Sequence, residues 1–294
     1  MKSEEINIRD PFVLLHEGKY YMYGTRGKYC WTADTGFDCY VSEDLKEWTE
    51  PVEVFRKPQG FWADKNCWAP EVHRYKGKFY MFATFKDSKV HGGTAILIGD
   101  SPLGPFREHS NGQITPKNWE CIDGTFYVSQ EGKPYMVFVH EWVQIKDGSI
   151  CRIELSEDLK EGISEPVVLF HASEARSWIS PFLNEKRPGN NYVTDGPYLY
   201  QTSQGRLIML WSSFGAEGYT EALAYSDNGD ITGNWTQEDR LLFKKDGGHG
   251  MIFKDYEGNL LLTLHTPNEH LKEHPEFYRL EEKENTLWVS NVQN

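Results

Sequence analysis

The chain has 294 residues, and its 31 lysines and arginines stand against 44 aspartates and glutamates, a formal net charge of −13. This acidity argues against nucleic acid as a partner, because phosphate backbones are bound through clustered Lys and Arg. No stretch approaches the ~20 apolar residues of a membrane span, so we expect no membrane partner. Aromatic residues reach 14%, which suits a β-rich core and a cleft for sugars.

The N-terminal residues 1–7 contain no apolar run like that of a secretory signal. Five cysteines, an odd number, are scattered without a Cys-x-x-Cys pair. Both features predict a cytoplasmic protein with reduced thiols, and the alternative is a chain from which a signal was removed.

One pattern then recurs five times along the chain: a short strand, a turn containing glycine, and an aromatic-rich strand. In several copies a third strand follows, ending near a Ser-x-Asp turn, as in residues 37–44 and 150–158. Residues alternate with a period of two, which favours strands over helices. The turn glycines lie 53 to 73 residues apart and are Gly18, Gly77, Gly132, Gly205 and Gly258.

Each repeat has room for about four short strands, a sheet that cannot bury both of its faces alone. The sequence therefore predicts an all-β fold, a five-bladed β-propeller. Four blades plus a cap is the alternative, because the fifth repeat is the least similar. No linker interrupts the series, so we expect a single catalytic domain over residues 1–294, with the last 25 or so residues completing the ring.

The residue that opens each repeat is expected to face a shared central cleft, because the inner strands of a propeller converge on one axis. One Asp before Pro or Gly is a common turn residue, but four acids in four repeats favour a function. Converging carboxylates repel one another and lose hydration, so at least one should have a raised pKa. The opening residues are Asp10, Glu71, Asp123, Asp195 and His249.

Carboxylates in an aromatic cleft are suited to glycoside hydrolysis, in which one activates water and another protonates the leaving oxygen. Calcium or another hard metal would use the same acids, although the sequence has no Asp-x-Asp-x-Asp-Gly loop. The sequence also lacks the motifs of nucleophilic serine or cysteine chemistry and of phosphate binding. It has no Gly-x-Ser-x-Gly, no Cys beside an evident His partner and no phosphate-binding glycine loop.

Four motifs, in their order and spacing, resemble glycoside hydrolase family 43. They are Arg-Asp-Pro at 9–11, Trp-Ala-Pro-Glu-Val at 68–72, Ile-Asp-Gly at 122–124 and Asp-Gly-Pro-Tyr-Leu at 195–199. Gly-His-Gly at 248–250 extends the match into the last repeat. The resemblance implies a five-bladed propeller that hydrolyses arabinose- or xylose-containing saccharides with inversion, of the arabinofuranosidase, endo-arabinanase or xylosidase type.

The resemblance also implies three catalytic acids. Asp10 is the general base, Asp123 modulates the pKa of the acid and holds it, and Asp195 is the general acid. The family usually has glutamate before Gly-Pro, whereas this chain has the shorter aspartate. The alternative acids are therefore Glu71, Glu120 and Glu141.

His249 resembles a last-blade histidine that lies on the axis beneath the sugar, often beside a cation or water. We therefore expect His249 to contact substrate and to lie next to a structural calcium or sodium ion, with no cofactor required for catalysis. Trp68 is expected to stack on a sugar ring, while Phe61 and Trp62 are expected in the core. Together with Trp68 and His249, the predicted substrate-binding residues include Glu71 and Glu120.

Residues 119–123 also resemble the invertase-like family 32, which retains configuration. In that interpretation Asp10 is the nucleophile and Glu120 the acid/base. A propeller that binds carbohydrate without hydrolysing it is a further alternative. The main hypothesis is a cytoplasmic, exo-acting glycosidase with an oligosaccharide as its only partner, and the sugar itself stays open.

Overall fold

The computed structural model describes residues 1–290, which form five antiparallel sheets of four consecutive strands each. Blade 1 contains β1 (Ile8–His16), β2 (Lys19–Arg26), β3 (Gly36–Ser42) and β4 (Val52–Arg56). Blade 2 contains β5 (Cys67–Tyr75), β6 (Lys78–Phe85), β7 (Gly93–Gly99) and β8 (Arg107–Gln113). Blade 3 contains β9 (Cys121–Val128), β10 (Pro134–His140), β11 (Ser149–Glu154) and β12 (Val167–His171).

A small hairpin, β13 (Phe182–Asn184) and β14 (Arg187–Asn191), separates blades 3 and 4 and accounts for the longest repeat spacing. Blade 4 contains β15 (Asp195–Gln201), β16 (Leu207–Gly215), β17 (Gly218–Ser226) and β18 (Trp235–Gln237). Blade 5 contains β19 (Gly248–Lys254), β20 (Leu260–Thr266), β21 (His274–Lys283) and β22 (Thr286–Val289). The α-helix α1 (Trp142–Ile145) and 3₁₀ turns at Ser3–Glu5, Gly27–Tyr29 and Ala172–Glu174 complete the elements.

The turn glycines that mark the repeats have the same backbone conformation in every blade. Their φ angles are 77°, 80°, 81°, 84° and 86° in chain order, a left-handed region that glycine adopts without steric cost. In blade 1 the preceding Glu17 is also left-handed, with φ 47°. Two such residues make the two-residue turn that matches the twist of a hairpin.

The second strand of each blade supplies the core. The residue four positions after the turn glycine is fully buried in all five blades, and these residues are Met22, Met81, Met136, Met209 and Leu262. Half of the 42 aromatic residues are buried as well, among them Tyr23, Phe82 and Phe138 of the second strands. All five cysteines are buried and free of disulfides.

Blades 5 and 1 meet without sharing a strand. Arg9 Nη1 forms an ion pair with Glu273 Oε1 at 3.0 Å, and Asn7 Nδ2 donates to the Glu273 carbonyl at 2.9 Å. Trp48 stacks on Phe277 with an interplanar angle of 11°. Side chains therefore close the ring.

The predicted five-bladed propeller is confirmed, and the alternative of four blades plus a cap is wrong, because the last repeat forms a complete sheet that includes β21 and β22. Within residues 1–290, no helix has the length and apolar character needed to cross a membrane. The predicted single domain extends to Asn294, and residues 291–294 lie outside the described residues. The single-domain organisation stays a prediction.

Candidate active site

Each innermost strand carries a β-bulge near its start, where its pairing with the second strand slips. A left-handed backbone costs a non-glycine residue about 1–3 kcal/mol and persists only where its surroundings hold it. Because the bulge recurs in every blade, it belongs to the architecture. The five bulge residues and their φ angles are Asp10 (56°), Ala69 (44°), Asp123 (54°), Gly196 (50°) and His249 (52°).

Hydrogen bonds between neighbouring blades hold these bulges. At four of the five junctions, the bulge amide donates to a side chain seven residues after the turn glycine of the preceding blade. These interblade bonds join Asp10 N to His265 Nδ1 (3.2 Å), Ala69 N to Thr25 Oγ1 (2.8 Å), Asp123 N to Thr84 Oγ1 (2.8 Å) and His249 N to Ser212 Oγ (2.7 Å).

The junction between blades 3 and 4 differs from the others. There the equivalent side chain is Val139, which has no acceptor, and Gly196 N donates instead to Asp123 Oδ2 at 3.0 Å. A Cβ added to Gly196 would lie 2.6 Å from His249 Cδ2, so only glycine fits. Since Gly196 follows Asp195, the Asp123 carboxylate fixes the backbone beside the predicted acid.

A central cavity of about 560 Å³ opens at this end of the axis, a volume typical of small-molecule sites. Its titratable lining includes Asp10, Asp123, Glu141, Asp195 and His249. Its aromatic lining comprises Trp31, Trp68, Trp142, Phe182, Phe214 and Tyr219. The structure therefore brings the three predicted catalytic acids, His249 and Trp68 together.

Asp10 lies in polar surroundings. Thr25 Oγ1 donates to Oδ2 at 2.5 Å, and the Nδ1 atoms of His249 and His265 lie 3.2 Å and 3.5 Å from Oδ1. Burial alone would raise the pKa of Asp10, but His249, Arg9 and Thr25 together lower it below its ordinary value. Asp10 is therefore ionised at neutral pH, the state that a general base needs.

Asp195 has the opposite electrostatic environment. Burial and then the neighbouring Asp123 raise its pKa to about 7, against the smaller opposing effects of His249 and Tyr219. The Tyr219 hydroxyl donates to Asp195 Oδ2 at 3.0 Å. A carboxyl group that keeps its proton close to neutral pH is suited to protonating a leaving group.

Asp123 lies between these two groups. Burial, followed by the charge of Asp10, raises its pKa well above the ordinary value, and the Gly196 amide opposes this shift. His249 Nδ1 lies 3.8 Å from Asp123 Oδ2. Asp123 therefore couples electrostatically to the predicted acid as well as holding its backbone.

His265 contacts both sides of the site. Burial lowers its pKa well below 6.5, so the ring is neutral. Its Nδ1 accepts from the Asp10 amide, which places the ring proton on Nε2. The ring also stacks on Tyr219, with centroids 5.6 Å apart and an interplanar angle of 24°.

Two predicted substrate-binding acids lie away from the cavity lining. Glu71 follows the bulge residue Ala69 by two positions, and its Oε2 lies 2.9 Å from His73 Nε2. It is therefore not equivalent to Asp10 or Asp123, contrary to the expected convergence. Glu120 pairs with Lys86 at 2.6 Å and with His91 at 2.9 Å.

Of the three alternative acids, only Glu141 lines the cavity. The pKa of Glu141 is raised, because burial outweighs the opposing effect of the Lys86 ammonium, which donates to its Oε2. Among the aromatic predictions, Trp68 lines the cavity, whereas Phe61 and Trp62 pack against Phe85.

The predicted axial cation would lie next to His249. His249 directs Nδ1 toward Asp10 and Asp123. Within residues 1–290, His, Cys, Asp and Glu side chains form no group of three or more arranged to hold a metal ion. We derive no catalytic step through a cation, and the calcium or sodium ion stays a prediction.

Several site residues were absent from the sequence prediction. Thr25 and His265 carry a signal, because a polar residue recurs seven positions after the turn glycine inside an otherwise apolar strand. Tyr219 and Trp31 carry none, since they reach the site from hairpin and loop positions whose direction depends on the fold. Trp31 is 59% exposed and meets Trp68 edge to face, with centroids 5.8 Å apart.

The chain is similar to proteins of one glycoside hydrolase family. The model of the family described as "Glycosyl hydrolases family 43" matches residues 5–283. The crystal structure of an endo-arabinase from Bacteroides thetaiotaomicron superposes with a TM-score of 0.90 and 36% identity, covering 97% of this chain and 98% of that one.

Two curated relatives are more distant. An extracellular endo-α-(1→5)-L-arabinanase from Bacillus subtilis is 22% identical over 82% of this chain and 71% of its own. An extracellular exo-α-(1→5)-L-arabinofuranosidase from Cellvibrio japonicus is 23% identical over 72% of this chain and 60% of its own.

Proposed function

Because the chain belongs to glycosyl hydrolases family 43, we propose that it hydrolyses arabinose- or xylose-containing oligosaccharides with inversion of configuration. The observation that carries the proposal is the opposite pKa shift of two carboxyl groups lining one cavity. The pKa of Asp10 is lowered, and that of Asp195 is raised to about 7. Two carboxyl groups with separated pKa values define a base and an acid.

In the proposed reaction, Asp10 takes a proton from water as the water oxygen attacks the anomeric carbon. Asp195 gives its proton to the glycosidic oxygen as the bond from that oxygen to the anomeric carbon breaks. The products are a sugar of inverted configuration and an alcohol, and both carboxyl groups then exchange protons with solvent. Asp123 favours the protonated state of Asp195 before the reaction.

The relatives point to α-1,5-linked arabinose as the first substrate to test. The solved structure at 36% identity is described as an endo-arabinase, and the curated relatives are named for endo and exo action on α-(1→5)-L-arabinan linkages. Endo and exo action both stay open. Linear arabinan separates them, because an exo enzyme releases one product size from the start whereas an endo enzyme releases mixed oligosaccharides.

The decisive experiment combines a substrate panel with proton NMR. The panel contains 4-nitrophenyl α-L-arabinofuranoside, 4-nitrophenyl β-D-xylopyranoside and linear arabino-oligosaccharides. We expect hydrolysis of at least one pentoside, and the first anomer formed from it should have inverted configuration. Retention would contradict the mechanism, and binding without hydrolysis of the panel would favour a carbohydrate-binding propeller.

The retaining alternative needs Glu120 as acid/base. Glu120 is absent from the cavity lining, and although burial opposes it, Lys86 lowers the pKa of Glu120 below its ordinary value. These features favour a structural ion pair over proton donation.

The cytoplasmic location stays a prediction, as does exo action inferred from it. Cell fractionation of the native host tests the location directly. The Bacillus and Cellvibrio relatives are both named extracellular, so recovery of the activity from the culture medium would contradict the prediction.

A further inference from the structure

Glu141 is a buried carboxylate that the proposed mechanism does not use. It lies between the end of β10 and α1, is 7% exposed and lines the central cavity. The Lys86 ammonium donates to its Oε2 and also to Glu120 Oε1 at 2.6 Å. Within residues 1–290, Glu141 Oε1 accepts no hydrogen bond from the protein, and the atom is not sealed from solvent.

A carboxyl oxygen that has no protein donor and lies at a cavity wall can accept a hydrogen bond from a bound ligand. Sugar hydroxyls are such donors. Trp68 lines the same cavity, and the Lys86 ammonium lies 5.3 Å from the centroid of the Trp68 ring. A hydrogen-bond acceptor therefore stands beside an aromatic ring, the combination that binds the polar edge and apolar face of one sugar.

Glu141 has little freedom to move aside. Its amide donates to the Glu120 carbonyl at 2.8 Å, and Lys86 links its carboxylate to that of Glu120. The acceptor is thus fixed in the cavity wall by the backbone and by an ion pair.

We propose that Glu141 determines specificity by accepting a hydrogen bond from a free ring hydroxyl of the sugar bound beside Trp68. A sugar that carries a branch on that oxygen has no proton to donate and places an ether against a fixed carboxylate. The site therefore selects unbranched pentose chains over chains substituted at that hydroxyl. The inference rests on the proposed function, because it assumes that the cavity binds a pentoside.

Two substitutions separate hydrogen bonding from charge. Glu141→Gln removes the charge but keeps an acceptor oxygen, whereas Glu141→Met removes both at similar length. Lys86 keeps Glu120 as its partner in both variants, so neither leaves a buried ammonium unpaired. Glu131→Gln, which removes a 74% exposed carboxylate from blade 3, is the control for net charge.

The substrates are the 4-nitrophenyl pentoside that the native protein hydrolyses and its 2-deoxy and 3-deoxy analogues. We expect Glu141→Met to raise KM by about 10- to 100-fold, the size of a lost hydrogen bond to a charged group, with a smaller increase for Glu141→Gln. With the analogue that lacks the bound hydroxyl, both increases should disappear. Native protein should also prefer linear to branched arabino-oligosaccharide, and Glu141→Met should narrow that preference.

Equal losses in kcat for Gln and Met, with KM unchanged and the same factor for every substrate, would overturn the proposal. They would show that Glu141 acts only through its charge on Asp195. If the native protein hydrolyses no pentoside, the proposed function fails, and calorimetric titration with linear arabinotriose then tests the inference by itself. Weaker binding by Glu141→Met supports it, and unchanged binding overturns it.

Discussion

Asp10 and Asp195 are the same residue type at the edge of one cavity, yet their surroundings give them opposite chemistry. Asp10 has the His249 imidazole, the Arg9 guanidinium and the Thr25 hydroxyl nearby, and together they outweigh its burial. At Asp195, burial and the repulsive charge of Asp123 raise the pKa. The opposing effects of His249 and the Tyr219 hydroxyl are smaller. The neighbours of each carboxyl group therefore assign the roles of base and acid.

The largest expected effect comes from removing the base. Asp10→Asn keeps the size of the side chain but cannot accept a proton from water, so kcat should fall by about 10³-fold or more. Steady-state hydrolysis of the best pentoside measures the loss. Oligosaccharide binding should persist, and a variant that keeps more than a tenth of native kcat would remove Asp10 from the mechanism.

Removing the acid should produce a loss that depends on the leaving group. Asp195→Asn should lower kcat by about 10²- to 10³-fold on an oligosaccharide. The loss should be much smaller on a 2,4-dinitrophenyl pentoside, because that leaving group needs no proton. Asp10→Asn is the matched control, since its loss should persist with both substrates. Equal losses for Asp195→Asn on both would contradict its role as acid.

The Asp123 contact can be broken in two ways. Asp123→Asn keeps an oxygen that accepts from the Gly196 amide, whereas Asp123→Ala removes it and leaves a bulge without its interblade bond. Both should lower the pKa of Asp195 toward its ordinary value and reduce kcat, but Asp123→Ala should also cost about 1–3 kcal/mol of stability. Chemical denaturation measures the difference, and equal stability of the two variants would show that the contact is dispensable.

The pH profile should change in a stated direction when Tyr219 is altered. The Tyr219 hydroxyl donates to ionised Asp195 and therefore lowers its pKa. Tyr219→Phe should move the alkaline limb of the kcat profile to higher pH than in the native protein, because protonated Asp195 persists to higher pH. A downward shift would contradict this assignment, and Phe214→Leu, which alters the neighbouring ring without removing a hydroxyl, is the control.

The smallest expected effect concerns metal. Dialysis against a chelator should change kcat/KM less than about twofold, because the base, acid and modulator are all supplied by carboxyl groups. Readdition of calcium and, separately, of sodium tests the predicted axial ion. A large loss that calcium restores would give the cation a part in the site.

Much of this arrangement follows from the repeat in the sequence. The turn glycines predict five blades, and the acids at positions 10, 123 and 195 predict the cavity lining. Glu71 misled the alignment, because the bulge that orients side chains toward the axis falls at Ala69. A one-residue offset moves a side chain to the other face of the strand, and a two-residue offset moves it along the strand away from the axial end; only the pairing register fixes which position a residue takes.

The long-range contacts were beyond prediction for a different reason. Glu141 meets Lys86 through the packing of two blades, whereas Tyr219 reaches Asp195 within blade 4, across the strand β16 that lies between them. Both contacts depend on how sheets pack and how strands pair, which no local pattern encodes. The aromatic excess behaved as expected, since half of these rings are buried.

Every blade consists of neighbouring residues in the chain, and blades 5 and 1 join through side chains. The order of blades around the axis is therefore a closed cycle, and the peptide connection between any two blades is topologically equivalent to the contact between the last and the first. A circularly permuted gene could start at a surface loop between two other blades. It would still encode the same five sheets and the same converging acids.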